Sequence, residues 1–164
     1  MPLIGKTVDP SRVVFVSSAG AANGVKYDWE AMKTTDTSTL KMQAYFNSKL
    51  ANAIYARKLS QLYGKQGHVT AYSVHPGVVA TDIWKALPRF VQRFAKLFML
   101  SEDQGAFTQL YCATMPGIEN LSGMYFDNCK SANINVLVDD QNYVDELYEK
   151  SLLFVKEHLV STSV

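Results

Sequence analysis

With 164 residues, 48% of them hydrophobic, the chain has the length of one domain and enough apolar material to bury a substantial core. Its formal net charge of +1 gives no electrostatic case for nucleic acid, and its two cysteines, Cys112 and Cys129, stand in no metal-ligand spacing, as reduced thiols of an intracellular protein do. No apolar run approaches the roughly 20 residues that cross a bilayer, and no repeat, linker or low-complexity tract divides the chain, so residues 1–164 read as a single domain.

In chain order, Met1 to Pro10 is a lead-in without periodicity. Ser11-Arg12-Val13-Val14-Phe15-Val16 then reads as a short buried strand that ends in the hydroxyls of Ser17 and Ser18 and a turn at Ala19-Gly20. Ala21 to Thr39 mixes Gly, Asn, Asp, Thr and Lys with isolated Tyr27, Trp29 and Met32, and is expected to run as a long surface connection. A helical pattern free of Gly and Pro extends from about Ser38 to Tyr63, with Gly64 as its stop. Its apolar residues, among them Met42, Phe46, Leu50, Ile54, Leu59 and Leu62, lie nearly all round, so one face can pack on a sheet while another needs separate cover. Val69 to Gly77 is a second buried strand closed by Pro76-Gly77. Strand, helix, strand in this order predicts a βαβ crossover with parallel pairing, and ligands of such sheets bind beyond the carboxyl ends of the strands, where Ser18 and Pro76-Gly77 lie.

Further on, Ile83 to Leu100 carries a broad apolar surface (Trp84, Leu87, Phe90, Phe94) with Lys85, Arg89, Arg93 and Lys96 at helical spacing. Ser101-Glu102-Asp103-Gln104 has the form of a capped helix start, running to about Thr114 before Pro116-Gly117. A third short strand is expected at Gly123 to Phe126, followed by a polar loop from Asp127. Asp139 to Leu159 closes the chain as an amphipathic helix with Val144, Leu147, Leu152, Leu153 and Val155 directed inward. The fold class is α/β, about three strands with flanking helices.

The chemistry concentrates in Gln43-Ala44-Tyr45-Phe46-Asn47-Ser48-Lys49. Four residues of α-helix turn through about 400° and rise about 6 Å, so the phenol of Tyr45 and the ammonium of Lys49 project from one face. A cation held there favours the phenolate and makes Tyr45 a proton donor and acceptor near neutral pH. An aromatic packed on the core beside a solvated lysine has the same spacing, and it is the flanking strands that favour the chemical reading. Ser17 suits strand termination through local backbone hydrogen bonds, and His75 suits strand-end hydrogen bonding rather than catalysis. His68 and His158 have no partners in sequence.

Ser17-Ser18-Ala19-Gly20, Tyr45-x-x-x-Lys49 and Pro76-Gly77-Val78-Val79-Ala80-Thr81 together resemble the second half of a short-chain dehydrogenase/reductase. The longer strings Tyr45-x-x-Ser48-Lys49-Leu50-Ala51-Asn52, Ser73-Val74-His75-Pro76-Gly77, Gln104-Gly105-Ala106 and Ser122-Gly123-Met124-Tyr125-Phe126 are similar to the retinol dehydrogenase and WW-domain-containing oxidoreductase group. The resemblance runs from about Ser11 to Lys130. It implies the carboxyl half of a Rossmann-type doubly wound parallel sheet and an NAD or NADP cofactor. Ser18 would orient the substrate oxygen, Tyr45 exchange the hydroxyl proton, and Lys49 lower the phenol's pKa and hold the nicotinamide ribose, with Pro76, Gly77, Val78 and Thr81 beside the cofactor. Thr81-Asp82 also suits a helix cap.

On the same resemblance, Ile83 to Leu100 is a lid. An apolar lid implies a lipophilic alcohol or carbonyl, retinoid- or steroid-like, and its basic stripe either meets an anionic membrane surface or is an ordinary solvated face. The long helix would join a symmetry mate, which implies a homo-oligomer in the intact enzyme. The Gly-rich pyrophosphate cradle, the ribose selector and the asparagine of the catalytic tetrad would all fall before Met1, and Gly20 and Gly24 do not replace them. Two outcomes stay open: an NAD(P)-dependent oxidoreductase, cytoplasmic or on a membrane surface, or a catalytically inactive fragment or dimerisation module of the family. The first strand would then leave an unpaired edge, so the isolated polypeptide is expected to be poorly soluble, self-associated or held by a partner.

Overall fold

The computed structural model describes residues 11–29, 41–64, 69–79 and 99–161. Met1 to Pro10, Met32, His68, Thr81 and nearly all of the Ile83 to Leu100 stretch lie outside the described residues, as does the side chain of His158.

Among the described residues four strands form one sheet in the order β1 (Ser11–Val16), β2 (Val69–His75), β3 (Tyr125–Asp127) and β4 (Lys130–Ala132). The β1–β2 and β2–β3 pairs are parallel, with Val16 opposite Val74 and Ser73 opposite Tyr125. The long helix α1 (Lys41–Tyr63) makes the crossover between β1 and β2, as the strand-helix-strand reading requires. Alternation along the strands assigns the two faces. Val13, Phe15 and Ala71 pack against Ala56 and Leu59 of α1, while Tyr72, Val74 and Phe126 pack against Cys112 of α2 (Glu102–Thr114). Central β2 is buried throughout except at its last residue; β1, at the sheet edge, is only half-buried among the described residues. The α2 start carries the expected capping box, in which Ser101 Oγ accepts from Gln104 N at 3.2 Å and Gln104 Oε1 accepts from Ser101 N at 2.9 Å.

Three expectations need correction. The stretch after Asp127 is not simply a loop, because Lys130–Ala132 turns back as β4, antiparallel to β3. Asn128 (φ 48°) and Cys129 (φ 60°) both take left-handed conformations, which give a two-residue hairpin turn the twist its strands need. The segment after Gly20, described as far as Trp29, is only in part the surface connection expected: Ala22, Asn23, Val25, Lys26 and Asp28 are exposed, but other residues anchor it. Ala19–Asn23 forms a 3-10 turn whose Ala21 is fully buried with Leu50, Ile54, Tyr143, Val144 and Leu147, and Tyr27 and Trp29 pack on that cluster.

Finally, of the residues expected to face inward on α3 (Gln141–Ser161), Val144 and Leu147 do so but Leu152, Leu153 and Val155 are exposed. The 3.6-residue period explains the first two, which fall off the stripe defined by Val144, Leu147 and Ser151; Val155 lies on the stripe but beyond Leu147, the last residue of the core cluster.

Candidate active site

The three parallel strands end at one edge of the sheet, and Ser18 and Pro76 to Val78 follow those ends directly, with Lys49 reaching the end of β1 from α1. Ser17 N donates to Val74 O at 2.8 Å, carrying the β1–β2 ladder one residue beyond β1. Its side chain is buried, and Oγ donates to the main-chain carbonyl of Lys49 at 2.6 Å. Ser18 is extended and caps the 3-10 turn, its Oγ accepting from Gly20 N at 3.1 Å. That turn lies directly on α1: a Cβ at Gly20 would come within 2.7 Å of the Phe46 ring and 3.4 Å of the Tyr45 ring, so only glycine permits the approach.

Tyr45 is 42% exposed and meets Lys49 on one face of α1, with Lys49 Nζ 5.7 Å from the centre of the phenol ring. Lys49 Nζ also donates to Val16 O at 3.3 Å, and Asn52 Nδ2 donates to the same oxygen at 2.9 Å. Tyr45, Lys49 and Asn52 thus form an i, i+4, i+7 row, of which Lys49 and Asn52 reach the end of β1. Asn52 was not singled out from sequence, although its spacing from Tyr45 is the signal that finds it.

Beyond β2, Gly77 has φ +84°, and Leu100 occupies the space a Cβ would need there. Leu100 N donates to Val78 O at 2.9 Å and Leu100 forms a parallel bridge with Val79, so the chain segments on either side of residues 80–98 meet at this rim. Val16, Val78 and Leu100 are all exposed along it. Thr81, the remaining cofactor candidate, lies outside the described residues. His75 Nδ1 is buried and has no hydrogen-bond partner among the described residues.

The segment leaving the Ser18 turn is held by polar side chains of α1 and α3. Asn47 Oδ1 accepts from Val25 N at 2.9 Å and from Gln43 Nε2 at 2.9 Å, and Gln43 Nε2 also donates to Asn23 O at 3.0 Å. Tyr27 N donates to the phenol oxygen of Tyr143 at 2.8 Å, and burial, reinforced by Tyr143, pushes the Tyr27 phenol up to about 12. Among the described residues no three His, Cys, Asp or Glu side chains converge as a metal site would require, and no helix is long and apolar enough to cross a membrane.

No protein-family profile matches the chain. Over 152 residues it is 37% identical to dehydrogenase/reductase SDR family member 13 of Bos taurus, covering 89% of this chain and 40% of that protein. It is 33% identical over 148 residues to human retinol dehydrogenase 12 (89% of this chain, 46% of that protein) and 31% identical over 163 residues to human WW domain-containing oxidoreductase (94% and 39%). The chain therefore spans less than half the length of these curated relatives. Among solved structures, an uncharacterised protein from Mycobacterium paratuberculosis superposes with a TM-score of 0.62 at 20% identity, over 90% of this chain and 51% of that one, a likeness of fold. These matches and the parallel α/β sheet show that the chain belongs to the short-chain dehydrogenase/reductase family, in the group of the retinol dehydrogenases and the WW domain-containing oxidoreductases.

Proposed function

We propose that the chain carries the proton-handling part of an NAD(P)-dependent oxidoreductase that interconverts a lipophilic alcohol and its carbonyl. One observation carries this reading: Lys49 Nζ and the Tyr45 ring share a face of α1, 5.7 Å apart, beside the Ser18 turn and at the carboxyl edge of a parallel sheet. The phenol is open to solvent at that edge, where a substrate oxygen can reach it.

The residues present fit the nicotinamide end of a dinucleotide. Lys49 and Tyr45 offer an ammonium and a hydroxyl for its ribose, and Pro76, Gly77 and Val78 follow the carboxyl end of β2 at the same sheet edge, with Thr81 as the next candidate. The cofactor, when bound, supplies or accepts the hydride. Tyr45 gives its proton to the substrate oxygen during reduction and takes it back during oxidation, and the positive charge of Lys49 favours the phenolate between these events. Ser18 Oγ accepts from Gly20 N–H, which leaves its own proton free to bond the substrate oxygen as charge develops. The apolar rim of Val16, Val78 and Leu100 favours a lipophilic substrate, as does the likeness to retinol dehydrogenase 12.

The exposed apolar surface of α1, whose Met42 is 66% exposed, favours a second reading, in which the chain is an interaction module that joins a copy or relative through α1. Fluorescence titration with NADH and NADPH separates the two. Saturable binding that weakens in Lys49→Ala, together with turnover that falls about a hundredfold or more in Tyr45→Phe, supports the enzyme. No binding by the wild-type chain supports the module.

A further inference from the structure

We propose that Asn135 is a positioning residue that clamps the Ser18 turn, holding the serine hydroxyl in the geometry in which it meets the substrate. Only the role of Ser18 rests on the oxidoreductase reading; the clamp itself is a matter of geometry. Asn135 stands at the head of the 3-10 turn Val136–Val138, in the connection between β4 and α3, and its partners are 111 to 114 positions away in the chain. Its Nδ2 donates to Ala21 O at 3.2 Å, Ala22 O at 3.2 Å and Gly24 O at 2.9 Å.

An amide carries two N–H protons, so three carbonyls share them. Its Oδ1 accepts from Leu137 N at 2.9 Å, which settles the amide's orientation, because the flipped form would aim an oxygen at three others. One side chain thereby joins the 3-10 turn that Ser18 caps to the 3-10 turn that precedes α3.

The Ser18 turn needs such a clamp. It lies outside the sheet, it buries a single side chain, Ala21, and at its two ends Ala21 N donates to Ser18 O and Gly24 N to Ala21 O, both at 3.0 Å. Gln43 and Asn47 of α1 secure Asn23 and Val25, but among the described residues only the Asn135 side chain reaches the carbonyls of Ala21, Ala22 and Gly24. Gly20 N–H, which orients Ser18 Oγ, belongs to the same turn. Freeing its far end therefore loosens the hydroxyl, and misplacement of a reacting group by about 1 Å can cost about a hundredfold in rate.

Asn135→Asp separates the clamp from the cap. It keeps an acceptor for Leu137 N–H but sets a carboxylate oxygen against three carbonyls, whereas Asn135→Ala removes both roles. In the full chain, amide exchange at Ala21 and Gly24 is expected to quicken by about tenfold or more in both variants, while exchange at Tyr72 and Val74 in β2 stays as in the wild type. With NADPH and decanal as probes, turnover by Asn135→Asp falls about tenfold or more while the KM for NADPH changes by less than about twofold. Turnover by this variant recovers as pH falls and the carboxyl regains a proton to donate, a response that loss of fold would not give. Wild-type exchange rates in Asn135→Asp overturn the clamp whatever the activity, and faster exchange with unaltered turnover overturns the positioning role. A wild-type chain without turnover sinks the oxidoreductase reading and with it the catalytic half of the proposal, while the exchange rates still decide the clamp.

Discussion

Ser17 donates its hydroxyl proton to the main-chain carbonyl of Lys49 at 2.6 Å, and the ammonium of Lys49 returns to the carbonyl of Val16, next to Ser17, at 3.3 Å. The end of β1 and the middle of α1 are thus tied from both sides. The tie fixes where Lys49, and with it the Tyr45 face, stands relative to the strand end. Ser17→Ala is expected to lower the unfolding free energy by about 1 kcal/mol in urea titrations, because it strips a buried hydrogen bond. Ser18→Ala removes only an acceptor in a more exposed turn and costs less; the reverse order would contradict the assignment of structural weight to Ser17.

Arg12 closes the carboxyl end of α2. Its guanidinium donates to Cys112 O at 3.1 Å, to Met115 O at 2.6 Å and to Glu119 Oε1 at 2.6 Å. The Arg12 side chain is 14% exposed and that of Glu119 44%. Arg12→Met should therefore cost about 2 kcal/mol, by leaving helix-terminal carbonyls without their cation, while Glu119→Gln costs about 0.5 kcal/mol. Denaturant titrations of both variants check the asymmetry, and equal losses would refute it.

Tyr125 carries a buried phenol oxygen with no hydrogen-bond partner among the described residues. Burial, and after it the charge of Asp127, holds its pKa above the usual phenol range. Tyr125→Phe deletes the orphaned group while keeping the ring, and is expected to raise the unfolding free energy by about 1 kcal/mol. A loss of stability of that size would reveal a partner for the hydroxyl, such as an internal water.

Alkaline stability follows from burial of the Cys112 thiol and the Tyr27 phenol. Burial pushes Cys112 from its ordinary 9.0 up to about 12 and Tyr27 from 10.0 to about 12. In the unfolded chain these groups ionise at their ordinary values, so between pH 9 and 12 the unfolded state releases protons that the folded state retains, and stability falls as pH rises through that window. Cys112→Ala should flatten the pH 9 to 12 slope of stability, and Cys129, half-buried at the hairpin turn, should react with iodoacetamide well before Cys112. Equal alkylation rates in the native protein would argue against the buried placement.

Gly77 and Gly117 make a matched pair. Both have positive φ, +84° and +82°, but a Cβ at Gly77 would strike Leu100 while one at Gly117 meets nothing within 4 Å. Gly117→Ala should cost about 1 kcal/mol of backbone strain, and Gly77→Ala distinctly more. Thermal unfolding of the two variants reads the difference, which reports the packing of Leu100 on the turn after β2.

What the sequence determined by itself was local. The 3.6-residue period set Tyr45 and Lys49 on one ridge, paired hydroxyls and Pro-Gly marked the strand ends, and Ser101 with Gln104 spelled out a helix start whose two bonds both form. Each of these depends on residues a few positions apart, so the chain order alone contains the geometry. Tertiary structure decided the rest: that Ser17 reaches a helix carbonyl 32 positions away, that Asn128 and Cys129 turn the chain back into β4, that Tyr27 and Trp29 dock on α3, and that Asn135 grips a turn more than a hundred residues distant. An amide or hydroxyl has many acceptors within reach in an unfolded chain. Which one it bonds is settled only when packing of the sheet and helices brings two distant segments within about 3 Å and excludes the water that would otherwise compete.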